Sequence, residues 1–171
     1  MTDYDNQNEF DDDFYDNEDT QKDKYLTFKI AKEDYGIEIR HVMEIIKIQK
    51  ITKVPETEDY LKGVINLRGQ IIPVIDVRLR FQKEEREFDD RTCIVVVSMN
   101  ELQIGMIVDR VSEVLDIPEK NVNPAPTFGR KAENKYIQGM GKVEDSVKII
   151  LDVNKLLKDE VIEGLKEMAS S

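Results

Sequence analysis

Gly63–Phe81 reads GVINLRGQIIPVIDVRLRF, and these nineteen residues carry most of the fold in miniature. Val64 to Leu67 is apolar apart from Asn66 and predicts a strand. Arg68-Gly69 interrupts it, because glycine tolerates the positive φ that a tight turn demands. Ile71 to Ile75 resumes an almost continuous apolar run, broken only by Pro73. Asp76 then stands where an N-cap belongs, its carboxylate able to accept from the free backbone N–H groups of a short helix over Val77–Phe81. The stretch predicts a hairpin that lifts a cation, Arg68, to its tip. Nothing near it resembles a catalytic group.

Outward from this segment, other strands follow the same logic. Tyr25–Ala31 and Tyr35–Ile39 alternate as half-buried strands do. In Arg40–Lys47 the residues Val42, Ile45 and Ile46 fall on one helical stripe with Glu44 beside it, so a helix is expected there. Ile51–Val54 reads as a short strand before Pro55, and Thr57–Leu61 as a helical turn. Thr92–Met99 and Leu102–Val111 form two apolar runs around Asn100-Glu101, a two-residue hairpin signal. Tyr136–Val143 and Val147–Leu151 predict another hairpin. From Asp152 onward, Val153, Leu156, Leu157, Val161, Leu165 and Met168 form one helical stripe.

The chain also repeats itself. Gly36–Ile45 aligns with Gly105–Val114 at an offset of 69 residues. Tyr60-Leu-Lys-Gly63 matches Tyr136-Ile-Gln-Gly139, and Asp76-Val77 matches Asp152-Val153, both at an offset of 76. An internal duplication predicts two similar β-rich lobes. Each has about five short strands, the size at which a sheet closes to hide its edges. The copies differ at the tip: where the first half has Leu67-Arg68-Gly69, the second has Val143-Glu144-Asp145.

Composition limits the function classes. The 171 residues carry a net charge of −11. Residues 1–23 hold ten acidic side chains and one lysine, so −9 of that charge sits in this segment and only −2 on the remaining 148 residues. The segment has few aliphatics and no period, and is read as an acidic, disordered tail. It serves to solubilise; the competing reading makes Phe10, Phe14 and Tyr15 a docking segment. No apolar run approaches the ~20 residues of a membrane helix, and MTDYDNQNEF is no signal peptide. A cytoplasmic location is expected.

Chemistry is scarce. His41 is the only histidine and Cys93 the only cysteine, which argues against a disulfide framework and most transition-metal sites. His41 is read as a surface helix residue without the orienting partner a general base needs. Cys93 is read as a small hydrophobe on a strand. The acidic tail lacks the glycine of a calcium loop. Gly139-Met-Gly-Lys142 lacks the upstream glycine and following hydroxyl of a phosphate loop. A near-neutral body with interleaved charges does not predict nucleic-acid binding. What remains is apolar surface around Val42, Ile45, Ile46, Ile48 and Ile51, with Val111 and Val114 in the second half. That supports a β-rich interaction protein; a small-ligand-binding β-barrel is the alternative.

Asn66-Leu-Arg-Gly69, Ile71-Ile-Pro73-Val-Ile-Asp76 and Arg78-Leu-Arg-Phe81 closely resemble the CheW-like domain of bacterial chemotaxis. So do Tyr35-Gly-Ile37, Val42-x-Glu44-Ile45, Gly63, Gly105, Val108-Asp109, Val111 and Tyr136-x-x-Gly139. The agreement runs from about Tyr25 to Leu157. Such domains also occur within the kinase CheA and in CheV. The absence of ATP-binding glycine motifs and of a second domain points instead to the free-standing adaptor form.

The resemblance implies a mainly β fold of two pseudo-repeated five-stranded SH3-like barrels with short helices and a C-terminal helix. Its expected division is the tail over 1–23, the CheW-like domain over 24–160, with strands of each lobe drawn from both halves, and the end of the C-terminal helix over 161–171. It implies a non-enzymatic scaffold coupling chemoreceptors to CheA, without cofactor or metal. The expected partners are the cytoplasmic signalling tip of chemoreceptors and the regulatory domain of CheA. No nucleic acid and no direct membrane contact are expected, and the location is cytoplasmic, recruited to receptor arrays. The family's receptor-contact positions fall on Val42, Glu44, Gly63, Arg68 and Val111. The kinase-coupling positions fall on Val114 and Ile51. Ile51 and Cys93 replace the family's usual valine; the change is mild at Ile51 but argues against a direct contact at Cys93.

Overall fold

The computed structural model describes residues 21–99, 101–125 and 135–157. The readings of the acidic tail up to residue 20, of Asn100, and of the helical stripe at Val161, Leu165 and Met168 lie outside those residues. Eleven strands run in chain order through the described residues. They are β1 (Lys24–Ile30), β2 (Glu33–Glu38), β3 (Val42–Lys47), β4 (Leu61–Leu67), β5 (Gln70–Asp76), β6 (Cys93–Met99), β7 (Leu102–Val108), β8 (Arg110–Asp116), β9 (Val122–Pro124), β10 (Ile137–Val143) and β11 (Ser146–Leu151). Two four-residue helices, α1 (Val77–Arg80) and α2 (Val153–Leu156), follow β5 and β11.

The strands form two sheets. One has the order β8-β1-β2-β11-β10-β9, the other β3-β6-β7-β5-β4. These are the two mainly β lobes the repeat predicts, a five-stranded sheet and a second of five strands plus the three-residue β9. The offset of 69 equates β2 with β7 and β3 with β8; the offset of 76 equates β4 with β10 and β5 with β11. Pairing follows the same equation. Gly36 pairs in parallel with Ile150, and Gly105 with Val74. Each sheet mixes strands from both halves of the chain. The first half sends β1 and β2 to one sheet and β3, β4 and β5 to the other.

That mixing explains the largest wrong expectation among the elements. Arg40–Lys47 is not a helix. Ile39–His41 makes a single 3₁₀ turn and Val42–Lys47 is a strand. The apolar spacing of Val42, Ile45 and Ile46 looks helical because Ile45 is an apolar residue on the exposed face, while Val42 and Ile46 lie on the covered one; the strand also carries a β-bulge between Val42 and Glu44. β-Branched residues favour the extended form once a partner strand exists, and that partner, β6, comes from the second half of the chain. His41 accordingly sits on the 3₁₀ turn with its side chain only 15% exposed, Nε2 lying 3.4 Å from Glu38 Oε2. Ile51–Val54 contributes only the bridge from Thr52 to Val64, and Thr57–Leu61 is a turn leading into β4 rather than a helix.

The largest apolar cluster lies between the sheets, not inside either one. It takes Leu26, Phe28, Ile30, Tyr35 and Ile37 from β1 and β2, and Val95, Val97, Ile104, Met106 and Val108 from β6 and β7. Ile65, Ile72, Val74, Ile94, Val96 and Ile107 fill one sheet's interior, and Tyr25, Ile117 and Ile150 the other's. Strand β6 is thus buried on both faces, so Cys93–Met99 reads as a continuous apolar run. Each fully buried isoleucine removes enough apolar surface to contribute about 2 kcal/mol. Where the chain passes from β7 to β8, Asp109 ties the sheets together. Its Oδ2 accepts from Ala31 N at 2.7 Å and from Arg78 Nη1 at 2.5 Å.

Candidate functional site

Hairpin β4–β5 is built as its sequence predicts. Leu67 pairs with Gln70, leaving Arg68-Gly69 as a two-residue turn. Both have positive φ, 51° and 86°, the requirement of a type I′ turn. Asn66, the one polar residue in the apolar run, braces the turn by accepting from Gly69 N at 2.9 Å. The Asp76 carboxylate caps α1 by accepting from Arg78 N at 2.9 Å. Burial pushes its carboxyl above the ordinary aspartate range, while Lys62 and the backbone N–H groups of the helix pull it back.

Arg68 reaches from the tip to β3. Its Nη2 donates to Glu44 Oε2 at 2.6 Å, with the arginine side chain 71% exposed and the glutamate 30%. The hydrogen bond to Glu44 raises the guanidinium pKa further above its ordinary value. Two residues 24 apart in sequence therefore form one charged feature that joins β3 to the β4–β5 tip. At such exposure the pair adds little to stability; it fixes the geometry of an outward-facing guanidinium.

The other positions divide by sheet. Val42 on β3 and Val111 on β8 are repeat mates, and both pack half-buried against the central cluster where the two sheets meet. Val114 is 50% exposed on β8. Ile51 packs half-buried against the interior of the five-stranded sheet. Gly63 has a steric reason of its own. At φ 145°, a Cβ there would lie 2.1 Å from the Thr52 carbonyl oxygen. Its mate Gly139 faces the Asn123 carbonyl oxygen at 2.8 Å. Both glycines let a connecting segment pair across the closing edge of a sheet. Cys93 is half-buried, its Sγ 3.2 Å from the Arg91 carbonyl oxygen.

Sequence reading missed a regularity in the exposed apolar residues. Six large apolar side chains are exposed among the described residues, and four form two repeat pairs. Ile45 (43%) and Val114 (50%) are mates, as are Ile71 (55%) and Val147 (53%). The duplicated alignment could have shown this, but only with burial known for each strand face. Among the described residues, no group of three or more His, Cys, Asp or Glu is placed to hold a metal ion. No helix among them is long and apolar enough to cross a membrane.

Comparisons with known proteins agree with this architecture. The sequence profile of the CheW-like domain matches residues 24–161. The chain is 34% identical over 148 residues to the chemotaxis protein CheW of Klebsiella aerogenes, covering 86% of this chain and 89% of that one. It is 36% identical over 138 residues to the chemotaxis protein CheW of Bacillus subtilis, covering 81% and 88%. The crystal structure of the scaffolding protein TtCheW from Thermoanaerobacter tengcongensis superposes with a TM-score of 0.75 at 36% identity, covering 81% of this chain and 94% of that one. With its two duplicated sheets and its NLRG hairpin, this chain belongs to the CheW-like domain family.

Proposed function

We propose that the chain is a non-enzymatic adaptor that joins the cytoplasmic tip of chemoreceptors to the regulatory domain of CheA. The observation that carries this reading is the pair of repeated apolar positions, Ile45 with Val114 and Ile71 with Val147, one of each pair on each sheet. A scaffold needs at least two docking faces. A duplicated fold that leaves the same positions uncovered in both copies supplies two related faces, each suited to another barrel of this kind. Arg68 with Glu44 then marks one sheet as different from the other, giving a third, charged contact for the receptor.

In this reading Val42 and Val111 line the junction of the sheets where a receptor helix tip docks, and Arg68 and Glu44 set its polar edge. Val114 lies on the face that touches the kinase. Gly63 and Ile51 act from behind, by holding the strand geometry that presents these residues. The protein works in the cytoplasm, recruited to receptor arrays. It changes no bond; it transmits the receptor's state by linked contacts, each of which must differ between the two signalling states.

Reconstitution with a receptor signalling fragment and CheA tests this. Kinase activity becomes receptor-dependent only when the chain is added; activity that ignores its presence overturns the proposal. Arg68→Ala is expected to weaken receptor recruitment while the melting temperature stays nearly constant. The alternative, a small-ligand-binding barrel, has less support because both sheet interiors are filled by side chains.

A further inference from the structure

At the junction between the two sheets, one side chain reaches both copies of a repeated tyrosine. Tyr60 and Tyr136 are repeat mates, and their carbonyl oxygens accept from the mated amides of Asp76 and Asp152, each at 2.7 Å. Each tyrosine therefore stands beside the strand end that leads into α1 or α2. The guanidinium carbon of Arg80 lies over both rings, 4.7 Å from the Tyr60 centroid and 4.9 Å from that of Tyr136. Tyr60 leads into β4 of one sheet and Tyr136 into β10 of the other, so a single cation bridges the two.

That side chain, Arg80, also contacts its own repeat mate. Arg80 and Leu156 are 76 residues apart, the offset of the duplication, and each ends its short helix. Arg80 Nε donates to the Leu156 carbonyl oxygen at 3.4 Å. Leu156 itself is fully buried, whereas Arg80 is half-buried. The copy thus fills this position with a packed leucine, and the first half uses a cation. Among the described residues no carboxylate pairs with Arg80. Its favourable contacts are the two ring faces and one carbonyl, and attraction between a cation and a ring face falls away as they separate.

The next residue strengthens the link. Phe81 lies between Tyr35 and Tyr136, at 5.4 and 5.9 Å between centroids, and Tyr35 continues to Phe28 at 6.1 Å. Phe81 caps the helix that follows β5, while Phe28 and Tyr35 lie on the opposite sheet and Tyr136 leads into it. Apolar packing of this kind tolerates sliding; the cation between two tyrosines adds a directional restraint on how far the sheets can part.

We propose that Arg80 is a positioning residue that fixes the relation between the two sheets, and with it the relation between the Val42 and Val111 faces. This rests on the adaptor reading above. Receptor state sensed at the junction reaches the outer faces only if the sheets move as a defined pair, and Arg80 is the side chain that defines the pair.

The test uses the full chain with Arg80→Met, which keeps length and apolar contact but removes the charge, and Arg80→Lys, which restores a cation. Spin labels on cysteines at Gln70 and Lys142, in a Cys93→Ala background, report the separation of the sheets. Arg80→Met is expected to broaden that distance distribution and to leave separate binding to the receptor fragment and to CheA unchanged. It is expected to lower receptor-dependent kinase activation by about fivefold or more, with Arg80→Lys recovering part of it. Unchanged distances together with unchanged activation in folded Arg80→Met overturn the proposal. So does a loss of binding to one partner that accounts for the whole loss of activation, since Arg80 is then a contact. If the unmodified chain confers no receptor dependence, the adaptor reading fails, and the label distances alone decide the pin: broadened supports it, unchanged overturns it.

Discussion

Hairpin β4–β5 turns through Arg68-Gly69, and its copy β10–β11 turns through Glu144-Asp145. The frames are the same. Each begins after a tyrosine, carries a glycine against a crossing carbonyl, and ends in an aspartate that caps a four-residue helix. The tips are not the same. Arg68 and Gly69 both adopt positive φ, whereas only Glu144 does so in the copy. The first tip holds a cation against Glu44 of a neighbouring strand; the second presents two carboxylates. Duplication preserved the frame that closes each sheet and changed the charge at its tip, so the two copies present outward-facing tips of opposite charge.

The largest effect should separate the two glycines. Gly63→Ala forces a Cβ to 2.1 Å from backbone at a positive φ, while Gly139→Ala meets its carbonyl at 2.8 Å without that φ. Urea denaturation should show a loss of about 3 kcal/mol for Gly63→Ala and about half that for Gly139→Ala. Equal losses would mean that the two closures are equally tight in solution.

Reversing the tip charge comes next. Arg68→Glu sets two carboxylates face to face, and receptor binding should fall by about tenfold. Adding Glu44→Arg should recover part of that loss if the pair positions the contact. No recovery would show that the guanidinium itself, and not the pair, is read by the receptor. Glu144→Arg in the copy should leave receptor binding unchanged.

A smaller effect distinguishes the two capping aspartates. The Asp76 carboxyl is raised by burial, so the native state holds its proton at pH values where the unfolded chain has released it. Its contribution to stability is therefore greatest below the ordinary aspartate pKa. It declines as pH rises to the raised value, and is level above that. Asp76→Asn should flatten this slope in the acid range, at a cost in cap strength of no more than about 1 kcal/mol. Asp152→Asn, which leaves Asp76 in place, should retain the slope.

The smallest change is expected at Val114. Replacement by Ser at this half-exposed site should alter stability by less than about 0.5 kcal/mol, while Val111→Ser, against the central cluster, should cost more. Kinase coupling that follows stability rather than exposure across this pair would place the kinase face elsewhere.

Much of this molecule was legible in one dimension. The hairpin at 63–81, the N-cap at Asp76 and the offset-76 repeat are local or periodic features, set by turn chemistry, capping and alternation within a few residues. The mislabelled helix at Arg40–Lys47 shows the limit. Its local pattern fits two structures, and the choice is made by β6, some fifty residues further along the chain. The same holds for the site. Glu44 and Arg68 are both visible as charged residues, but their pairing depends on how β3 and the β4–β5 tip meet. The bulge on β3 has no local signature, whereas the two-sided burial of β6 shows in its continuous apolar run.

The sequence by itself determined that there are two copies of one β-rich unit, where their hairpins turn, and that the copies differ in charge at one tip. Only the tertiary structure decided which strands close which sheet. It placed the largest core between the sheets and brought Arg80 between Tyr60 and Tyr136. The physical reason is that turns and caps satisfy backbone groups a few residues away, whereas sheet closure and the burial of a shared apolar face join segments from opposite halves of the chain.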